Sequence, residues 1–199
     1  MAQNTVQNSS FLLPEDIILF VADYSSTYTT LAELSSATWF NIGALTEYSR
    51  ESAIATVQPA AFNVEHQQLL TKEAETINFT MQEFNSSLVN ICRGGVSAQV
   101  STFLPGSTSS EACIVMYSGG NDTLAPFMLY EKAKYADGRS IQTYFPYVHF
   151  VSGGTRNPKA QNTGEYSDIP FTVEARESPF VTYNSRKQYR IEIYSTDST

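Results

Sequence analysis

Apolar and polar residues alternate most strictly from Thr76 to Gln82, where Ile77, Phe79 and Met81 fall on one side of an extended chain and Thr76, Asn78, Thr80 and Gln82 on the other. Successive side chains of a strand point to opposite faces, so this pattern predicts a strand with one buried and one wet face. The two-residue period recurs at Ile169–Arg176, with Phe171, Val173 and Ala175 opposite Thr172, Glu174 and Arg176. It returns at Tyr189–Tyr194, with Tyr189, Ile191 and Ile193 opposite Arg190, Glu192 and Tyr194. Runs rich in β-branched and aromatic residues predict further strands at Ile17–Ala22, Arg50–Val57, Ala112–Tyr117, Pro126–Tyr135 and Ser140–Val151. Helical spacing is found once: Leu88, Val89 and Ile91 follow a capping Asn85 or Ser86 and precede Gly94-Gly95, which predicts a short helix over 86–93.

Punctuation between these runs sets the organisation. Residues 1–14 offer little to bury before Pro14 and are expected to form an arm, followed by a single domain over 15–199. A Ser/Thr/Tyr-rich connection follows the first strand. Next comes Thr38–Leu45, with Trp39, Phe40, Ile42 and Leu45 around Gly43, either a strand bent at the glycine or one turn of helix. Residues 58–72 have no strong period and are expected to be a polar loop or hairpin, and 152–167 a Gly/Asn/Pro-rich loop. Gly119-Gly120-Asn121-Asp122 predicts a turn, and Asp137-Gly138 a hairpin between two strands. The expected fold is therefore mainly β, an antiparallel sandwich or partial barrel flanked by one or two short helices. Trp39, Ile42, Ile77, Phe79, Met81 and Leu88 are expected in its core.

Composition supports folding and narrows the partners. Hydrophobic residues make up 42% of the 199 and charged residues only 16%, while Ser and Thr number 43, a mixture suited to strands and polar turns. Twenty acidic against twelve basic residues give a net charge of -8. A chain of that sign is a poor ligand for a phosphate backbone. The excess is concentrated in residues 1–92, which hold ten acids and two bases, Arg50 and Lys72. No apolar run approaches the length of a membrane span, and Met1–Ser10 lacks the basic start of a signal peptide, so a cytosolic origin is expected. Cys92 and Cys113 are then expected to be reduced, buried fillers.

Candidate chemistry is sparse. The sequence contains no phosphate-loop, dinucleotide-binding or nucleophile-elbow motif and no Cys or His pair at metal spacing. His66 and His149 lack an evident catalytic partner, and nothing selects two of twenty carboxylates as an acid pair. Lys132, Lys134 and Arg139 gather at the tip of the Asp137-Gly138 hairpin, a solvated tip or a contact for an acidic surface. Neither catalysis nor a cofactor is expected.

From Trp39 to Gly95 the order of features resembles the major tail tube proteins of long-tailed, siphovirus-like bacteriophages. The shared features are W-x-x-I-G at Trp39, Ile42 and Gly43, a strand with acidic residues near its start (Glu47, Glu51), the alternating strand within Glu75–Asn85, and a capped helix ending at Gly94-Gly95. The resemblance covers about the middle third of the chain. It implies a β-sandwich of which six copies form a ring, their inner strands joined into one barrel, with rings stacked into a tube that passes DNA without binding it specifically. It also implies tape-measure, tail-terminator and tail-tip partners, assembly in the host cytoplasm and residence in the virion tail. Lumen-facing residues are then expected among Glu47, Glu51, Glu73, Glu75, Thr76, Asn78, Thr80, Gln82 and Glu83. Residues 179–199 exceed the pattern and either decorate the outer surface or complete the sandwich. Two other readings suit the same composition: a phage head-decoration or head–tail connector subunit, and a carbohydrate-binding or hydrolytic β-sandwich using Trp39, Tyr144, Tyr147 and Tyr183.

Overall fold

The computed structural model describes residues 16–57, 69–82, 91–92, 97–103, 110–116, 124–135, 139–154 and 168–195, and for 53–57, 69–73, 97–103 and 110–116 the backbone alone. The chain is mainly antiparallel β with little helix. Its elements are β1 (Asp16–Asp23), α1 (Leu31–Ser35), β2 (Phe40–Asn41), β3 (Leu45–Val57), β4 (Leu69–Met81), β5 (Ser97–Phe103), β6 (Ser110–Met116), β7 (Phe127–Lys134), β8 (Ser140–Gly153), β9 (Ile169–Arg176), β10 (Thr182–Tyr183), β11 (Arg186–Lys187) and β12 (Ile191–Tyr194).

One eight-stranded sheet in the order β2-β1-β7-β8-β9-β4-β3, with β12 also on β8, carries the fold. Because Val148 pairs with both Phe127 of β7 and Ala175 of β9, those strands lie on opposite edges of β8. The same reasoning at Tyr144 puts β12 on the β9 side, so β12 continues the line that β9 leaves at Arg176. Residues 177–190 are an excursion from that line. They close on themselves through Ser178 N to Gln188 O (2.9 Å) and turn at Asn184 and Ser185, both with positive φ (50° and 64°), as a type I′ hairpin requires.

The sheet curls, so that the inner faces of its two halves meet in one core. Leu19 and Val21 of β1, Phe127 and Leu129 of β7, and Phe145 and Val148 of β8 pack there with Ile77, Phe79 and Met81 of β4 and Phe171 and Val173 of β9. Register irregularities between Leu45/Glu47, Phe127/Leu129 and Phe150/Ser152 supply the added twist that such a curl needs. At Gly153, where β8 meets β9, φ is 98° and an added Cβ would lie 2.2 Å from the Pro170 carbonyl oxygen; only glycine fits.

A second apolar cluster covers the outside of β1, β7 and β8. It unites Ala22, Leu34, Met128, Tyr144 and Val181, with Trp39, Tyr130, Ile191 and Ile193 packed against it. The helix α1 is seated on this face. Thr30 and Glu33 form a reciprocal cap, Thr30 N donating to Glu33 Oε2 (2.9 Å) and Glu33 N to Thr30 Oγ1 (3.4 Å). Trp39 Nε1 donates to the Leu34 carbonyl (3.0 Å), fixing the helix end to the indole.

Several expectations are corrected. The connection expected over 58–72 ends sooner, because β4 begins at Leu69 and pairs with β3 as far as Val57. The loop expected over 152–167 starts later, since β8 continues to Gly153. The Ser/Thr/Tyr-rich connection holds α1, and Thr38–Leu45 is a short strand, β2, that bends at Gly43 (φ 93°) into β3. Residues 179–199 complete the main sheet through β12 and also cover its outer face through Val181, Ile191 and Ile193. Of the expected helix over 86–93, Ile91 and Cys92 are helical and the remainder, Leu88 included, lies outside the described residues, as do the arm 1–14 and the turn at 119–122. Residues 136–138 do too, although the pairing of Lys134 with Ser140 shows the hairpin that Asp137-Gly138 predicts.

Candidate functional site

The polar positions of the curled sheet separate into two sites, one on its outer face and one inside. On the outer face, registers across β3, β4, β9 and β8 align two transverse rows. Glu51, Thr76, Glu174 and His149 form one, and Ser49, Asn78, Thr172 and Ser152 the next. Hydrogen bonds run along the second row: Thr172 Oγ1 donates to Asn78 Oδ1 (2.9 Å) and Asn78 Nδ2 to Ser49 Oγ (3.4 Å). Above them Thr80 Oγ1 donates to Glu47 Oε2 (3.4 Å). Glu47, Ser49 and Glu51 are exposed, Thr76, Asn78 and Gln82 half-buried, and Thr80 buried. Among the described side chains, three carboxylates, Glu47, Glu51 and Glu174, share this face with one guanidinium, Arg176, which is paired to Glu174 (Nε to Oε2, 2.7 Å). Burial and the Arg176 charge hold the His149 imidazole below its ordinary range, against the opposing pull of Glu174.

Inside the curl, at the end of the apolar core, lies a charged cluster. Arg50 of β3 donates from Nε to Glu75 Oε1 (2.5 Å), from Nη1 to Glu131 Oε2 (3.0 Å) and from Nη2 to Glu192 Oε1 (3.3 Å). Arg190 Nη1 donates to the other Glu75 oxygen (2.8 Å), Tyr48 Oη to Glu131, and Tyr194 Oη to Glu192 Oε2 (2.7 Å). The Arg50 guanidinium also lies 5.2 Å over the Phe145 ring. Burial works to lower the Arg50 pKa, but the Glu75 hydrogen bond and the Glu131 charge outweigh it and the pKa rises. For Tyr48, burial first and then Glu131 push the phenol upward. The cluster ties β3, β4, β7 and β12 together, and every charge in it is engaged by another member.

Glu75 is therefore the expected lumen residue that the structure moves elsewhere. Its parity matches Ile77 and Phe79, it is 1% exposed, and two guanidiniums rather than solvent compensate its charge. Glu73 pairs with Ile54 in the hairpin and its side chain lies outside the described residues, as does Glu83. Among the expected core residues, Ile42, Ile77, Phe79 and Met81 are buried in the main cluster and Trp39 is half-buried against the second. Cys92 is buried and free, its thiol pushed up to about 12 by burial; the Cys113 side chain is not among those described. The internal cluster escapes sequence reading, because Arg50, Glu75, Glu131 and Glu192 meet only through the register of four strands.

Among the described residues no group of three or more His, Cys, Asp or Glu is placed to hold a metal ion, and no helix is long and apolar enough to cross a membrane. No protein-family model matches the chain, and no curated protein is similar enough to count as a match.

Proposed function

We propose that this chain is a structural subunit of a phage tail tube, forming stacked rings, six copies to a ring, around an acidic-lined conduit for DNA. The observation that carries the reading is the outer face of β3, β4, β9 and β8. It is polar in two aligned rows, with Glu47, Ser49 and Glu51 exposed, while most of its reverse is the apolar core. Such a face suits a water-filled channel. Support also comes from β3, the last strand of the sheet, whose 13 residues present an edge that pairing between copies would close. The exposed Glu47 and Glu51 give the face the sign that lets DNA pass without adhering. Negative-stain electron microscopy of the full chain at high concentration tests the proposal. Hollow filaments or six-fold rings are expected; single particles at all concentrations, or trimers that bind preformed shells, would replace it with a decoration role.

A further inference from the structure

The curled sheet does not close on itself, and the place where it fails to close has a shape. Between Asp16–Ile18 of β1 and Leu45–Tyr48 of β3 lies an open cleft of about 450 Å³. Asn41 and Gly43 also line it; between them the Ile42 N–H donates to the Leu19 carbonyl (3.0 Å), β2 leaves β1, and the chain bends at Gly43 into β3. Both walls are strand edges. Since Leu19 presents its carbonyl to the β2 side, Ile17, two residues earlier, presents its N–H and C=O to the same side, where β2 has already ended at Asn41. On the other wall, β3 is bonded among the described residues to β4 alone, along its inner edge. Its apolar floor is made by Ile17, Leu45 and Tyr48, which each pack against the main core, while Asp16, Asn41, Thr46 and Glu47 add polar groups to the lining.

We infer that this cleft receives an extended segment of a second copy of the chain, and that the segment is the stretch around Phe11–Leu13. Two edges with no partner among the described residues, meeting over an apolar floor, fit a strand, whose backbone bonds both walls while alternate side chains point inward. The wall Leu45–Tyr48 spans about 13 Å at 3.3 Å per residue, so three or four residues fill it. Phe11-Leu12-Leu13 is the one run of three consecutive apolar side chains in residues 1–15, and it lies just before Asp16, itself on the cleft wall.

Insertion within one chain is disfavoured by Pro14. Folding 7–13 back onto β1 needs a tight hairpin at Pro14-Glu15, and the favoured two-residue turns demand positive φ at the first central position, which proline cannot adopt. Nor does any glycine before Gly43 supply the left-handed residue of a three-residue turn. In the extended direction, thirteen residues reach about 40 Å, enough to cross to a neighbour. Among the described residues no strand pairs with the rest of the β3 edge, from Ser49 onward. The inference does not rest on the tube reading; it requires only that copies of this chain associate.

The test uses the full chain with a photoreactive benzoylphenylalanine in place of Leu12. Light and nitrogen-15-labelled copies are mixed as monomers, assembled and irradiated. Cross-links from position 12 to residues 16–18 or 45–48 in mixed light–heavy pairs are expected; cross-links only within chains of one isotope, or only to other regions, overturn the inference. Independently, the double change Phe11→Asp with Leu13→Asp should weaken self-association in sedimentation by about tenfold or more, because it places carboxylates on the apolar floor, while the monomer's thermal midpoint is unchanged. Unaltered association would refute it. Particle shape by microscopy reads the tube proposal separately, so either idea can fail without the other.

Discussion

Arg50 stands at the point where three carboxylates of three different strands converge, and its loss should be among the most damaging single changes in the fold. Alanine there leaves Glu75, 1% exposed, with Arg190 alone and leaves Glu131, 7% exposed, with only the Tyr48 hydroxyl. Breaking a buried ion pair from one side typically costs about 3–5 kcal/mol, and the 21% exposure of Arg50 places this case toward the lower end. Urea unfolding of Arg50→Ala should show that loss, and an unchanged midpoint would mean that the cluster contributes nothing net. Glu192 extends the reasoning to pH. Burial works to raise its pKa, but the Tyr194 hydrogen bond, the Arg190 charge and the bond from Arg50 outweigh burial and hold it low. A carboxylate whose folded pKa lies below its unfolded value of about 4.3 stabilises above that value, and the contribution is lost as pH falls through the folded pKa. Unfolding free energy measured from pH 6 down to 3 should therefore fall less steeply for Glu192→Gln than for the parent chain. Equal slopes would remove Glu192 from the acid response.

At the level of elements, the junction of β8 and β9 is the most demanding point of the backbone. Gly153→Ala combines a φ of 98° with a Cβ 2.2 Å from the backbone oxygen of Pro170, which no side-chain adjustment relieves. The strained backbone alone costs about 1–3 kcal/mol. Since Gly154 N donates to that same oxygen (2.7 Å), the end of β8 should detach. Faster amide exchange at Phe171 and Thr172 would register it, and native-like protection there would show the junction to be tolerant. Nothing in the run Val151-Ser152-Gly153-Gly154 announces this role, which is why a loop is the natural sequence reading. The strands that were legible are those with one wet and one dry face, such as Ile169–Arg176, where the two-residue period survives in composition. The helix α1 was not legible: five residues give too little period, and its capping Thr30 and Glu33 are masked by a Ser/Thr-rich neighbourhood. Likewise Glu75 carries the polar signature of a wet position, and only the strand register reveals that its partners, Arg50 and Arg190, are inside with it.

For the whole molecule, the outer polar face and the direction of its charge make the tube proposal most exposed to experiment. A channel through which a duplex moves must offer it few lasting contacts, because each phosphate neutralised by Lys or Arg releases counterions and adds salt-dependent affinity, with a slope of about 0.9 per contact in log–log terms. Glu47 and Glu51 project from β3 on the side of Thr76, Asn78 and Thr172, and both are exposed. Changing both to lysine alters the net charge of each subunit by four, and a ring repeats that change in every copy. Neither side chain packs in the core, the one hydrogen bond lost is the long one from Thr80 to Glu47 (3.4 Å), and although Glu47 stands on the wall of the cleft, an inserted strand would bond that wall through its backbone, so folding and assembly should persist. Tubes of normal diameter are expected by electron microscopy. In virions carrying the double change, DNA ejection should slow, and added salt should restore its rate. By contrast, Glu75→Gln should act on stability and leave ejection unaltered in the particles that form, since that side chain faces Arg50 and Arg190 and not the outer face. If the lysine variant ejects at the parental rate at low salt, β3 does not line the channel, and the polar rows of β3, β4, β9 and β8 face some other surface of the assembly.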